Sequence, residues 1–194
     1  MTGVAVLDLD YGNTESIRLA FARLGVETVL VRDPRAVADA ERLVLPGVGA
    51  APFAMARLHE LGLADALRAR TKPTLGICLG MQLLFRRSAE GEAEMLGVVP
   101  GEVRALEPAP GAPVPHMGWS RLTGGAAVGI EEGSHVYFAH SFACDDGPWT
   151  AARTDYGGRT IPAALRHGPW WGAQFHPERS SSAGAAFLSA FLSS

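Results

Sequence analysis

The stretch TLGICLGMQLLF, Thr74 to Phe85, decides how the chain is read. An apolar run closes on Gly-Ile-Cys, and a second glycine follows two residues later, where apolar residues begin to recur at helical spacing. Strand, G-x-C-x-G, helix is the arrangement of a nucleophile elbow, a sharp turn that lifts one side chain above the sheet edge. Gly76 and Gly80 permit the close backbone approach such a turn needs. Cys78 then lies at the start of a helix beginning near Leu79, where the partial positive charge favours a thiolate. The same residues fit a second reading, a buried core cysteine with glycines for helix–strand packing, and the segment alone leaves both open.

Working outward, the first half alternates buried strands with amphipathic helices. VAVLDLD (Val4 to Asp10) is a strand, and Thr14 to Leu24 carries Ile17, Phe21 and Leu24 at helical spacing before Gly25. ETVLV is a second strand punctuated by Asp33-Pro34, and ERLVLPGVG a third that runs into a glycine-rich loop. Phe53 to Arg70 is helical, in two pieces broken near Gly62; KPTLGIC is the fourth strand, and its helix is expected to continue through Leu83 and Leu84. This is the pattern of a parallel sheet covered on both faces. After about Gly91 the pattern shortens to GVVPGEVRAL, HVYFAHSFA, WTAARTDY, IPAALRH and WWGAQFHPE, read as antiparallel additions or a second layer, and a helix from Ser180 to Leu192 closes the chain. The fold expected is α/β and flavodoxin-like: a mostly parallel central sheet, helices on both faces, and added antiparallel strands in the second half. EPAPGAPVP (Glu107 to Pro115) is too short for an interdomain linker, so residues 1–194 are expected to form one domain.

Composition narrows the function classes. With 47% hydrophobic and 19% charged residues, the 194-residue chain can fill a core rather than stay disordered. A net charge of -3 without a lysine/arginine block argues against nucleic-acid binding. No apolar run has the length of a membrane span or signal segment, since Asp8 interrupts the first one. No membrane association and a cytoplasmic location are therefore expected. Two cysteines are no disulfide framework in a chain of this size, and no metal or organic cofactor is called for.

Two further segments bear on Cys78. In LPGVGAAPF (Leu45 to Phe53), a Pro-Gly-Val-Gly loop follows a buried strand and can present a main-chain N–H around Val48 at the carboxyl end of the sheet. An ordinary β–α turn fits that stretch as well. In GAQFHPERS (Gly172 to Ser180), His176 and Glu178 are two apart, which in extended backbone places both on one face. Pro177 biases His176 towards that extended state. A carboxylate beside a histidine can hold the tautomer a general base needs, although a lone H-x-E also fits a strand-end turn. A metal site is less attractive because a third ligand is missing. Together the three segments supply a nucleophile, an oxyanion loop and an oriented base, the generalised triad for acyl transfer. The remaining conspicuous residues carry structural readings: Cys144 as an inert loop thiol, His59, His135 and His167 as surface or structural groups, Asp8 and Asp10 as strand-end polar groups, and Trp170-Trp171 as packing.

GICLGMQ, PGVG and FHPE, which all occur here, resemble the class I (triad) glutamine amidotransferases. GNTES (Gly12 to Ser16), LPGVG, LGICLGMQLLF, VPHMGWS, YFAHSF and GAQFHPERSS narrow the resemblance to the glutaminase subunits of imidazole glycerol phosphate synthases. The resemblance spans the chain. It implies hydrolysis of L-glutamine through a thioester on Cys78, with His176 as proton shuttle and Glu178 as its orienter. It implies an oxyanion hole from the N–H groups of Leu79 and the Val48 region, and substrate contacts from Gly49, Gln82, Ser141 and Phe142. It also implies a (β/α)8-barrel cyclase as heterodimer partner in histidine biosynthesis, met by Asn13, Trp119 and Arg179. Asp10 stands where the family has a glycine and Ser120 where it commonly has an asparagine, and neither touches the triad that the resemblance implies. The alternative enzyme reading is the glutaminase subunit of a different amidotransferase complex. A partner that had lost activity would show a broken triad, and a flavodoxin-like cofactor binder would want a phosphate loop after the first strand, which is not there.

Overall fold

Alternating side chains in the first strands set the layers. In β1 (Val4–Leu7), β3 (Arg42–Gly47) and β4 (Thr74–Cys78), Val4, Val6, Val44, Leu75 and Ile77 pack to one face. Ala5, Leu7, Leu43 and Leu45 pack to the other. The first face is covered by α1 (Thr14–Arg23) and α6 (Ser181–Leu192), through Ile17, Phe21, Phe187 and Phe191. The second is covered by α2 (Pro34–Asp39), α3 (Ala51–Glu60) and α4 (Leu63–Arg68), through Val37, Met55, Leu58, Leu63 and Leu67. The computed structural model describes residues 3–10 and 12–194. Among these, no helix is long and apolar enough to cross a membrane.

The large sheet adds β2 (Thr28–Val31), β7 (His116–Gly124), β8 (His135–His140), β10 (Thr150–Tyr156), β11 (Arg159–His167) and β12 (Trp170–Ala173), in the order β2-β1-β3-β4-β12-β11-β10-β7-β8. The first five run parallel and the rest antiparallel. The parallel half has the doubly wound order of flavodoxin-like folds. One expectation is corrected here. WWGA is not an antiparallel addition: β12 returns from the end of the chain to lie parallel to β4, register Gly172 to Gly76. Both faces of β12 are buried, Trp170 among one core cluster and Trp171 in the other, which explains its unbroken apolar run. A second small sheet joins β5 (Arg87–Ser88), β6 (Glu102–Ala105) and β9 (Phe142–Cys144).

Three local differences from the sequence pattern have clear causes. Asp33-Pro34 is more than punctuation: Asp33 caps α2, its carboxylate accepting from Ala36 N–H at 2.9 Å, and Pro34 fits the first turn. The elbow helix α5 (Leu79–Gln82) is a single turn rather than running on through Leu84. The Leu83 and Leu84 carbonyls accept instead from the amides of Leu96, Val98 and Val99, at 3.0, 2.9 and 2.9 Å. HVYFAHSFA is two strands, since the chain leaves β8 at Ser141 and enters the small sheet as β9. Cys144 therefore sits in a strand and not a loop, and burial pushes its thiol well above the usual range.

The elbow seats α5 directly on the end of β3. A Cβ on Gly80 would lie 1.9 Å from the Leu45 carbonyl oxygen, a backbone atom that has no room to withdraw. Gly80→Ala is expected to cost about 3 kcal/mol, the upper end of ordinary overpacking, and to lower Tm by roughly 6–12 °C. Thermal unfolding by circular dichroism measures it.

Candidate active site

A cavity of about 530 Å³ opens at the carboxyl ends of β1, β3, β4 and β12, where open α/β sheets bind ligands. Every candidate site residue read from the sequence lines it except Trp119. That side chain sits on β7 and is 54% exposed, its ring edge-on to Tyr137 with centroids 6.2 Å apart. Arg179, at the mouth, stacks over the same tyrosine, 4.8 Å from the ring centre.

Cys78 joins β4 to α5 with φ 54° and ψ -112°. A side chain other than glycine pays for positive φ, and such strain persists only where the surroundings hold it. Here the glycines at 47, 76 and 80 do so: any Cβ on them would strike backbone of the facing segment within 2.4 Å. Cys78 is buried in all but 8% of its surface, and its Sγ lies 3.9 Å from the Ala139 carbonyl oxygen. The Gln174 amide nitrogen lies 3.9 Å from it as well.

His176 ends the segment after β12 in extended backbone, φ -97° and ψ 98°, as a residue before proline prefers. The partner carboxylate arrives differently from the extended same-face arrangement read from H-x-E. Pro177–Arg179 is a 3-10 turn, and it folds Glu178 back so that Oε1 accepts from His176 Nδ1 at 2.8 Å. The Glu178 side chain is 3% exposed, and its Oε2 has no partner among the described residues, so His176 is the carboxylate's sole hydrogen-bond partner there. Cys78 is the imidazole's other interacting neighbour. Burial pulls the His176 pKa down, but the hydrogen bonds and charges of Cys78 and Glu178 outweigh it and push it up to about 10. A thiol, an imidazole and a carboxylate thus share one cavity wall, the residue types of a nucleophile, a proton carrier and its orienter.

The rest of the wall is mostly main chain. Val48 and Gly49 continue from β3 as an exposed rim, Gly49 at φ 84°. Gln82, one turn from Cys78, gives its Nε2 to the Phe142 carbonyl at 2.9 Å and to Gln174 Oε1 at 3.0 Å. Its Oε1 has no partner among the described residues, which leaves an acceptor on the cavity wall. Sequence reasoning misses three buried polar residues: Gln174, His116 and His140. Each interrupts an apolar strand pattern, in GAQFHPE, VPHMGWS and YFAHSF, and that interruption is the available signal. Burial holds His116 and His140 down to about 4, so both are neutral at pH 7. Asp8 and Asp10 form a charge network beside the cavity: Arg32 meets both carboxylates, at 2.7 Å on Asp8, and Arg57 also reaches Asp10. Among the described residues, no group of three or more His, Cys, Asp or Glu is placed to hold a metal ion.

A strained cysteine elbow on a flavodoxin-like sheet, with histidine and glutamate just beyond the last parallel strand, is the arrangement expected of triad-type acyl transfer. The chain belongs to the class-I glutamine amidotransferases, whose family description it matches over residues 5–193. It is 47% identical to the imidazole glycerol phosphate synthase subunit HisH of Xanthomonas euvesicatoria pv. vesicatoria, over 99% of this chain and 98% of that protein. It is 48% identical to the HisH protein of Xylella fastidiosa with the same coverage. Among solved structures, a glutamine amidotransferase superposes with TM-score 0.78 at 23% identity, covering 98% of this chain and 97% of the other. PurLQS from Thermotoga maritima gives 0.72 at 22% identity, covering 100% of this chain and 99% of the matched one. At those identities the structures speak to the fold.

Proposed function

We propose that the chain hydrolyses L-glutamine to glutamate and ammonia through a glutamyl thioester on Cys78, and passes the ammonia to a (β/α)8-barrel cyclase. In this reading residues 1–194 act as one domain within a cytoplasmic heterodimer. The heterodimer is a lyase as a whole, making imidazole glycerol phosphate and an aminoimidazole carboxamide ribotide in histidine biosynthesis. The observation that carries the reading is the strained Cys78 sharing one cavity wall with His176, itself held by Glu178 at 2.8 Å. Likeness to HisH proteins over 98% of their length supports the partner.

The Cys78 thiolate attacks the carboxamide carbon, and the carbonyl π pair moves to oxygen, held by the N–H groups of Leu79 and Val48. Losing one such donor costs ~10²–10³ in rate. His176 gives its proton to the nitrogen as the C–N bond breaks, and ammonia leaves. It then takes a proton from water, which attacks the thioester and releases glutamate and Sγ. Gln82 Oε1 accepts from the α-ammonium, and the main chain of Gly49, Ser141 and Phe142 holds the α-carboxylate. Ammonia released into water would be protonated and lost, so the cavity mouth has to be covered. Asn13, Met117 and Arg179 line it, Met117 exposing 65% of its surface, and Trp119, 54% exposed, packs on the tyrosine over which Arg179 stacks. Docking there is expected to reorder the exposed Val48–Gly49 rim and complete the oxyanion hole.

Glutamate release by the purified chain, alone and with a barrel cyclase carrying its phosphorylated ribulosyl carboxamide ligand, tests the reading. Stimulation on the order of 10²-fold is expected, the worth of one completed oxyanion donor. Equal rates with and without cyclase would move the chain to a different amidotransferase complex, and no activity in any mixture would refute the glutaminase.

A further inference from the structure

Beneath the cavity floor a single run of hydrogen bonds joins β7 to the nucleophile, and its chemistry fixes the direction of every link. It starts at a carbonyl. Phe142 O accepts from His140 Nδ1 at 2.8 Å and from Gln82 Nε2 at 2.9 Å, because an oxygen of this kind can only accept. His140 is neutral and carries its proton on Nδ1, so its Nε2 must accept from His116 Nδ1, 3.0 Å away. His116 is then left with Nε2 as an acceptor, and Ser120 Oγ, at 2.8 Å, donates to it. On the other side, Gln82 has spent one amide hydrogen on Phe142 O and places the second on Gln174 Oε1 at 3.0 Å. Gln174 is fully buried, so its amide has no solvent to turn towards. With its oxygen engaged by Gln82, its nitrogen faces Cys78 Sγ at 3.9 Å. Flipping Gln82 would set its oxygen against the Phe142 and Gln174 oxygens, and flipping Gln174 would set amide nitrogen against amide nitrogen, in a buried site.

We propose that Gln174 is a further catalytic residue: its side-chain amide donates a hydrogen bond to Cys78 Sγ, and the Phe142 carbonyl, acting through Gln82, fixes that amide in the donating orientation. A buried donor on the sulfur favours the thiolate and holds its rotamer for attack. Ser120 is the terminal donor of the histidine arm, whose links the same Phe142 carbonyl sets in direction. It occupies the position where the family commonly has asparagine, and its hydroxyl supplies the hydrogen that His116 Nε2 needs.

The proposal rests on Cys78 being the nucleophile, and its test is read without glutamine so that the two can fail separately. The probe is iodoacetamide, with carboxamidomethylation of Cys78 followed by peptide mass spectrometry across pH. Gln174→Met keeps length and loses the donor. Alkylation at pH 7 is expected to slow roughly tenfold, as for loss of one hydrogen bond to a charged group, with the alkylation–pH curve displaced to higher pH. In glutaminase assays kcat falls by a similar factor while KM holds. An undisplaced alkylation curve in a folded variant overturns the proposal, since a purely structural glutamine would alter stability and KM without moving it. Should Gln174→Met fail to fold, the wild-type chain decides. The side-chain NH2 resonances of Gln174 must shift when Cys78 is alkylated, and resonances that stay in place overturn the donor assignment. A displaced curve in a chain without glutaminase activity under any condition would refute the functional reading and leave the hydrogen bond standing.

Discussion

Cys78→Ser is expected to lower kcat for glutamate release from L-glutamine by about 10⁴–10⁶, in line with removal of the nucleophile from a triad that works as a unit. The size of the effect follows from placement. Cys78 is lifted to φ 54° by an elbow whose neighbours are glycines at 47, 76 and 80, and no other thiol can take its place. Cys144 is buried in β9, with burial pushing its thiol far up. A serine oxygen in the same position keeps the turn, so the Tm should stay within about 1–2 °C of wild type, the span of a surface-scale change. Glutamate release with the cyclase present, measured alongside thermal unfolding, separates loss of chemistry from loss of fold. A variant retaining a tenth of the wild-type rate would show that Sγ is not the attacking atom.

Glu178→Gln gives the second large effect, a fall in kcat of about 10²–10⁴, the usual worth of a positioned proton carrier. Glu178 contributes both a hydrogen bond and a negative charge to the upward push on His176. Glutamine keeps neither the charge nor a guaranteed acceptor at Nδ1, so His176 releases its proton at lower pH and presents a less certain tautomer. The alkaline side of the kcat/KM profile should therefore move down in pH. Stability gives an independent check, with the sign set by linkage. His176 is raised from 6.5 to about 10 in the folded chain, so its paired charge contributes stability that is full below pH 6.5 and lost as pH rises through about 10. The Tm gap between wild type and Glu178→Gln should be widest below pH 6.5 and narrow towards pH 10. A gap that widens with pH would mean that His176 is held neutral.

In the parallel half, β1, β3 and β4 are legible because they are buried on both faces, and the helices α1 and α3 because they carry ordinary stop signals, Gly25 and Gly62. What escapes the pattern depends on partners distant in sequence. WWGA looks like any short strand until β4 is seen beside it, and α5 stops after one turn because residues 96–99 take the carbonyls that would have continued it. The cap in Asp33-Pro34 reads equally well as a turn, and the six residues of α2 are hidden with it. At the site, sequence spacing brings Cys78, His176 and Glu178 into one proposal, and the structure places them on one cavity wall. The route by which Glu178 reaches His176 is a 3-10 turn rather than extended chain, which a spacing of two cannot distinguish. Gln174, His116 and His140 escape because a lone polar residue inside a strand is meaningful only when its partners across the sheet are known.

The central claim is a covalent glutamyl thioester on Cys78. Its most direct test is intact-mass analysis of the chain mixed with L-glutamine and the ligand-bound cyclase, acid-quenched within the first turnover. A glutamyl adduct that maps to the Cys78 peptide, accumulates within the first turnover and is missing in Cys78→Ser is the predicted result. Ammonia formed in the burst without any adduct, or an adduct on another residue, would contradict it.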